Sequence, residues 1–75
     1  MNITFRQLRV FESAARHLSY TRAAEELHLS QPGVSMQIKQ LEEVIGLPLF
    51  EQIGKKMHLT PAGHEIFTYS QRIGH

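Results

Sequence analysis

The spacing of apolar residues between Ser19 and Glu42 constrains this chain more than any other feature. The stretch reads SYTRAAEELHLSQPGVSMQIKQLE. Ala23, Ala24 and Leu27 share one face of a short helix expected from about Tyr20 to Leu27, and His28-Leu29-Ser30 forms a tight turn. A second helix, expected over 30–46, carries Val34, Ile38, Leu41 and Ile45 at i, i+4, i+7 and i+11, a single apolar stripe. Alanines in the first helix let the second cross it closely, the requirement of a helix-turn-helix. The face opposite the stripe holds Pro32, Met36, Lys39 and Gln40, with Gln31 and Ser35 beside them. These are hydrogen-bonding and methyl-bearing groups, suited to reading base edges in a DNA major groove. The competing reading is a plain helical hairpin with a solvated polar face.

Seventy-five residues suffice for one domain, and a domain near this size buries roughly 60% of the surface of its unfolded chain. The chain contains no cysteine, which excludes disulfides and thiolate metal sites and gives no sign of an oxidising compartment. No apolar run approaches the ~20 residues of a membrane span, and MNITFRQLR has no apolar signal core. A cytoplasmic protein is expected. The net charge is only +1, so the distribution of charge says more than its sum. No acid occurs from Leu27 to Leu41, where Lys39 lies, nor from Gln52 to His64, where Lys55 and Lys56 are adjacent. Glu25-Glu26, Glu42-Glu43 and the isolated Glu12, Glu51 and Glu65 lie outside both windows. A nearly neutral chain thereby acquires a basic footprint.

Ahead of the helical pair, Thr4 and Gln7 have capping-box spacing, with Ile3 and Leu8 at the positions of a hydrophobic staple. A helix is expected from about Phe5 to Arg16, with Leu8, Phe11, Ala15 and Leu18 on its core face and Val10 and Ala14 flanking. Ser19 and Ser30 are expected to cap the next two helices, and Gly46 and Pro48 to end the second. The period then changes. Leu49 to Ile53 and Lys56 to Leu59 are strand candidates around Gly54-Lys55. A hairpin directly after such a helix predicts a winged helix-turn-helix, with Lys55 and Lys56 at the wing tip facing phosphates. An exposed turn bearing lysines for solubility is the alternative. Thr60-Pro61 restarts a helix, whose apolar residues Ala62, Ile66, Tyr69 and Ile73 repeat the same spacing and are still running when the chain stops at His75. The fold class expected is mainly α: a three-helix core plus a β-hairpin wing over 1–59, then a linker helix over 60–75 that reads as interrupted. That last helix has more apolar stripe than one small domain needs. Part is expected to pack on the first helix, and Ala62, Ile66, Tyr69 and Ile73 are the candidates for a two-fold interface with a second copy.

The combination FESAARHLSYTRAAEEL, SQPGVSMQIKQLE, GLPLF and LTPAG, in that order and spacing, resembles the LysR-type transcriptional regulators of bacteria over nearly the whole chain. Within that family, RHLSYTRAAEELHLSQPGVSMQIKQLE followed by LFEQIGKK is most similar to regulators of Calvin-cycle carbon-fixation (RuBisCO) operons. The resemblance implies a winged helix-turn-helix followed by a dimerising linker helix. It also implies sequence-specific binding of double-stranded DNA at an inverted-repeat operator by a homodimer, with higher oligomers in the full-length regulator. A small-molecule effector would bind a two-lobed domain that this chain lacks. By position, the family's base contacts fall on Gln31, Pro32, Ser35 and Met36, with Gln31 and Met36 carrying the readout. Thr21, Ser30, Lys39, Lys55 and Lys56 are the backbone candidates, and the Ser35 hydroxyl would also help position the domain. Three positions depart from arginines common in the family. Arginine is usual where Gln52 stands, which puts a phosphate contact there in doubt, and arginine is common at Lys55, where lysine keeps charge but not the fork. Many relatives carry arginine at Met36. Arginine reads guanine bidentately, whereas methionine offers only apolar contact to a thymine methyl, so base preference should differ.

Other chemistries fare poorly. Without aspartate or cysteine the chain holds no Ser-His-Asp or Cys-His constellation, and no strained glycine elbow accompanies any serine, so no enzyme is expected. His17, His28, His58, His64 and His75 include no i, i+4 pair, so no metal or cofactor is expected. His17 and His28 read instead as helix-end residues. The rival from another class is a winged helix used for protein–protein docking. It calls for an exposed apolar patch, whereas the polar face holds only Met36 and Pro32 as apolar members.

Overall fold

Residues 2–73 are described by the computed structural model and form four helices and one hairpin. They run α1 (Phe5–His17), α2 (Tyr20–Leu27), α3 (Gln31–Ile45), β1 (Phe50–Ile53), β2 (Lys56–Leu59) and α4 (Pro61–Ile73). Each helix starts where a hydroxyl meets an otherwise unpaired N–H. Thr4 Oγ1 accepts the Gln7 N–H at 3.0 Å while Gln7 Oε1 accepts the Thr4 N–H at 3.0 Å, a complete capping box. Ser19 accepts from the Arg22 N–H at 3.1 Å, Ser30 from the Gly33 N–H at 3.1 Å, and Thr60 from the Gly63 N–H at 2.9 Å.

Helix ends are set by left-handed residues. His28 (φ 58°) closes α2 within the turn, and Gly46 (φ 84°) closes α3 with its N–H on the Glu42 carbonyl at 2.7 Å. Leu18 (φ 49°) closes α1, and here the structure corrects the expected core face. Leu18 is 44% exposed, because α1 has ended one residue earlier and the left-handed turn swings its side chain off the helical stripe. The strand candidate beginning at Leu49 is also one residue shorter at its start: the Leu49 N–H goes to the Glu42 carboxylate, and its side chain is fully buried.

The core is the junction of α1, α2 and α3. Phe11, Ala14, Ala23, Val34, Leu41 and Leu49 are fully buried, and Val10 and Ile38 nearly so. A phenylalanine buried in this way contributes about 1.5–3 kcal/mol, and Ala23 keeps the crossing shallow enough for the α3 stripe to reach it. Ile45, the last residue of that stripe, is only part-buried at the rim. The hairpin is an antiparallel pair with Phe50 opposite Leu59 and Ile53 opposite Lys56. Gly54 turns it at φ 64°, a conformation that a Cβ would strain. Helix α4 lies back on the domain: Ala62, Ile66 and Phe67 pack against the core, and Gly63 and Ser70 are buried. The expected continuation of this helix over Gly74 and His75 lies outside the described residues. No helix among the described residues is long and apolar enough to cross a membrane.

A polar clasp joins α1 to α2. The buried Ser13 hydroxyl donates to the Glu26 carboxylate, which also accepts two bonds from Arg16 Nη2 at 2.8 and 3.0 Å and lies 3.2 Å from His17 Nε2. Arg16 Nε holds Glu12 at 3.1 Å as well. No buried side-chain nitrogen or oxygen among the described residues lacks a partner.

The clasp makes the acid limb of stability predictable. The Ser13 hydroxyl and then the Arg16 guanidinium hold the Glu26 carboxyl down to about 2 from an ordinary 4.5. The folded value lies below the unfolded one, so the clasp contributes fully above about pH 4.5 and is lost as pH falls toward 2. In thermal melts across that window, Glu26→Gln should lower the neutral-pH midpoint and flatten its acid dependence relative to wild type. Parallel pH curves would show that Glu26 is not the titrating group.

Candidate nucleic-acid interface

Burial of Val34, Ile38 and Leu41 fixes the rotation of α3 and leaves its other face outward. Gln31, Pro32, Ser35, Met36, Lys39 and Gln40 are all exposed on it, and Met36 is 52% exposed despite its size. The first turn of α3 contains no acid, so the positive end of the helix dipole is unopposed. Ser30 caps that turn through its oxygen, which leaves the hydroxyl proton to donate outward. A Cβ at Gly33 would come within 3.1 Å of Ser30 Oγ, so glycine keeps that cap uncrowded.

One open groove brings three of the sequence-predicted residues together. Leu18, Ser19, Tyr20 and Thr21 around the start of α2, Gln31 from the start of α3, and Phe50, Glu51, Gln52, Lys55 and Met57 from the hairpin line it. Thr21, Gln31 and Lys55 thus converge from three elements. Lys56, next to Lys55 at the first position of β2, is exposed, and Lys39 is exposed two turns along α3. Among the described residues Arg16 pairs with Glu12 and Glu26, and the His17 ring lies against Glu26. Lys39, Lys55, Lys56 and Arg22 therefore keep their charge available to an outside anion.

The groove also holds residues outside the candidate set. Gln52, where the departure from arginine puts a phosphate contact in doubt, lines it and carries an amide donor. Tyr20 carried no motif signal. Its ring stands edge-on to Phe50 at 5.5 Å, and Phe50 in turn meets Phe11 at 5.4 Å. Pairs of this kind contribute about 0.5–1.5 kcal/mol beyond their burial. Burial, and then the nearby charge of Glu42, push the Tyr20 hydroxyl up to about 12, so it stays protonated across the physiological range.

The dimer candidates divide. Ala62 and Ile66 are part-buried against the core of their own chain, while Tyr69 is 51% and Ile73 40% exposed. Phe5, at 60% exposure, and Ile73 border one depression between α1 and α4. His17 ends α1 and His28 caps α2. No group of three or more histidine or carboxylate side chains among the described residues could hold a metal ion.

Known proteins share both sequence and fold. Residues 5–64 match the family described as bacterial regulatory helix-turn-helix protein, lysR family. The chain is 68% identical over 74 residues to the RuBisCO operon transcriptional regulator of Allochromatium vinosum, covering 99% of this chain and 24% of that protein. It is 52% identical over 71 residues to the HTH-type transcriptional regulator CfxR of Cupriavidus necator, covering 95% and 22%. The chain therefore spans about a quarter of the length of the curated relatives it matches. Among solved structures, the BenM DBD–catB site 1 DNA complex superposes with a TM-score of 0.88 at 36% identity, covering 93% of this chain and 78% of that one. The CbnR DBD–DNA complex does so with 0.86 at 37% identity, covering 93% and 80%. The chain belongs to the lysR family of bacterial regulatory helix-turn-helix proteins, and it is a DNA-binding domain of that family rather than an enzyme.

Proposed function

We propose that this chain is the DNA-reading part of a dimeric, cytoplasmic regulator of carbon-fixation genes, and that it binds an inverted-repeat operator in double-stranded DNA. The observation that carries the reading is the exposed outer face of α3, free of acids from Gln31 to Leu41, beside a groove where Thr21, Gln31 and Lys55 meet. In this reading α3 enters the major groove, with Gln31, Pro32, Ser35 and Met36 at base edges. Thr21, Ser30, Lys39, Lys55 and Lys56 hold phosphates, which position the domain without specifying sequence. The division into a winged domain over 1–59 and a dimerising linker helix from 60 onward belongs to the same proposal, as does an effector that acts on a further domain. The likeness to RuBisCO operon regulators supports the choice of target genes. Selection of bound sequences from a random DNA pool tests it directly: an inverted repeat is expected, and failure to enrich any duplex would overturn it.

Base readout depends on Met36, which stands one turn into α3 at the centre of the outward face. Met36→Arg should shift preference from thymine toward guanine at one position per half-site by ~1–3 kcal/mol. An unchanged binding logo would exclude a base contact at this residue.

Phosphate contact by the hairpin predicts a different signature. Replacing Lys55 and Lys56 with alanine should weaken binding to all sequences alike and flatten the salt slope by up to ~2 units per monomer. A loss confined to the selected operator would mean that the wing reads bases instead.

Assembly depends on the exposed end of α4. Ile73, bordered by Tyr69 and by Phe5 of α1, leaves apolar surface that a second copy would cover. Ile73→Glu should abolish cooperative binding to a duplex with two half-sites while sparing single half-site binding. In sedimentation, one protein per duplex for the wild type would refute the dimer.

A further inference from the structure

The hairpin has almost no support of its own. It is two strands of four residues, and β1 is exposed at every position beyond Phe50. An isolated pair of strands holds no fixed orientation unless something packs or ties it; here Phe50 and Leu59 pack against the core, and the backbone is tied at its root.

That root is Pro48-Leu49, and each of its polar backbone groups is engaged. The Leu49 N–H donates to Glu42 Oε2 at 2.8 Å, from α3. The Leu49 carbonyl accepts the Thr60 N–H at 3.1 Å, and the Pro48 carbonyl accepts the Thr60 hydroxyl at 2.7 Å, just ahead of α4. Gly63 closes the joint from the first turn of α4. A Cβ there would lie 2.1 Å from the Leu49 oxygen and 3.1 Å from its carbonyl carbon, so no side chain fits without moving the root. The Leu49 side chain is fully buried, which leaves the root no slack toward the core.

We propose that Glu42, Thr60 and Gly63 are positioning residues for the wing, setting the reach of Lys55 and Lys56 toward phosphate without touching DNA. The inference rests on the reading that the wing lysines meet phosphate. Leverage gives it force. A four-residue strand rises about 13 Å, so a tilt of about 10° at the root carries the tip about 2 Å. A charge-assisted N–H···O bond is formed at about 2.7–2.9 Å, and a displacement of that size breaks it. The joint also ties the wing to the first turn of α4, so the two move as one piece.

Affinity and salt slope of the 75-residue chain, measured on a duplex selected from a random pool and on an unselected duplex of equal length, test the proposal. Gly63→Ala and Glu42→Ala should each weaken binding roughly threefold to tenfold and be non-additive with the lysine substitutions. Both should flatten the salt slope toward that of the Lys55→Ala/Lys56→Ala protein and leave the base preference of α3 unchanged. In the lysine-free background they should cost nothing more. Glu42→Gln keeps an oxygen for the Leu49 N–H and should retain the wild-type slope. Thermal melts identify any variant that fails to fold, and if Gly63→Ala does so the Glu42→Ala and Glu42→Gln pair decides. An unaltered slope in Glu42→Ala, or an equal loss with and without the lysines, would overturn the positioning role. If the lysine substitutions themselves change neither affinity nor slope, the phosphate reading fails and this proposal falls with it.

Discussion

The rest of the structure depends on the burial of the α3 stripe against α1 and α2. Val34, Ile38 and Leu41 disappear from solvent beside Phe11, Ala14 and Ala23. At about 1.5–3 kcal/mol for each large side chain, that burial outweighs any single polar contact on the surface. It fixes the helix about its own axis, so a rotation that brought Met36 or Ser35 inward would expose the whole stripe. The outward face of α3 is free because the inward face is committed. Ala23 is decisive here for its smallness, since a longer side chain at the crossing would lift α3 off the core.

A second constraint runs through Phe50. It is the first residue of the hairpin, and its ring meets both Phe11 and Tyr20. One aromatic side chain thus joins the wing to α1 and α2, while Glu42, Thr60 and Gly63 join its root to α3 and α4. Every helix contributes to holding a ribbon that has no core of its own. The polar surface is sorted by the same architecture. The clasp of Ser13, Arg16 and His17 around Glu26 draws an acid toward the α1 side of the molecule, and the lysines of α3 and the hairpin form no ion pair among the described residues. A chain of net charge +1 can in this way present a basic surface to a phosphate backbone.

Much of the fold was legible because its signals are local. The hydroxyls of Thr4, Ser19, Ser30 and Thr60 cap their helices through N–H groups three residues on, a span any sequence window contains. The apolar spacing of Val34, Ile38 and Leu41 implied both an inner face and an outer one, so the candidate residues of α3 could be named from period alone. The glycine between two short apolar runs marked the hairpin turn. Leu18 shows where this logic stops: the period extrapolates smoothly across it, and only the left-handed end of α1 takes it out of the core.

What the sequence determined by itself was therefore the set of elements, their caps, the polarity of each helical face and the acid-free windows. All of these follow from chemistry within a turn or two of the chain. Tertiary structure alone decided which separate pieces meet: Thr21, Gln31 and Lys55 in one groove, Phe50 between Phe11 and Tyr20, Glu26 under Ser13, and Gly63 against the Leu49 carbonyl. It also divided the α4 stripe, burying Ala62 and Ile66 in part and leaving Tyr69 and Ile73 outside. The reason is physical. A glutamate that caps a distant backbone N–H and one that is merely solvated share the same local spelling, and only the closing of the chain on itself tells them apart.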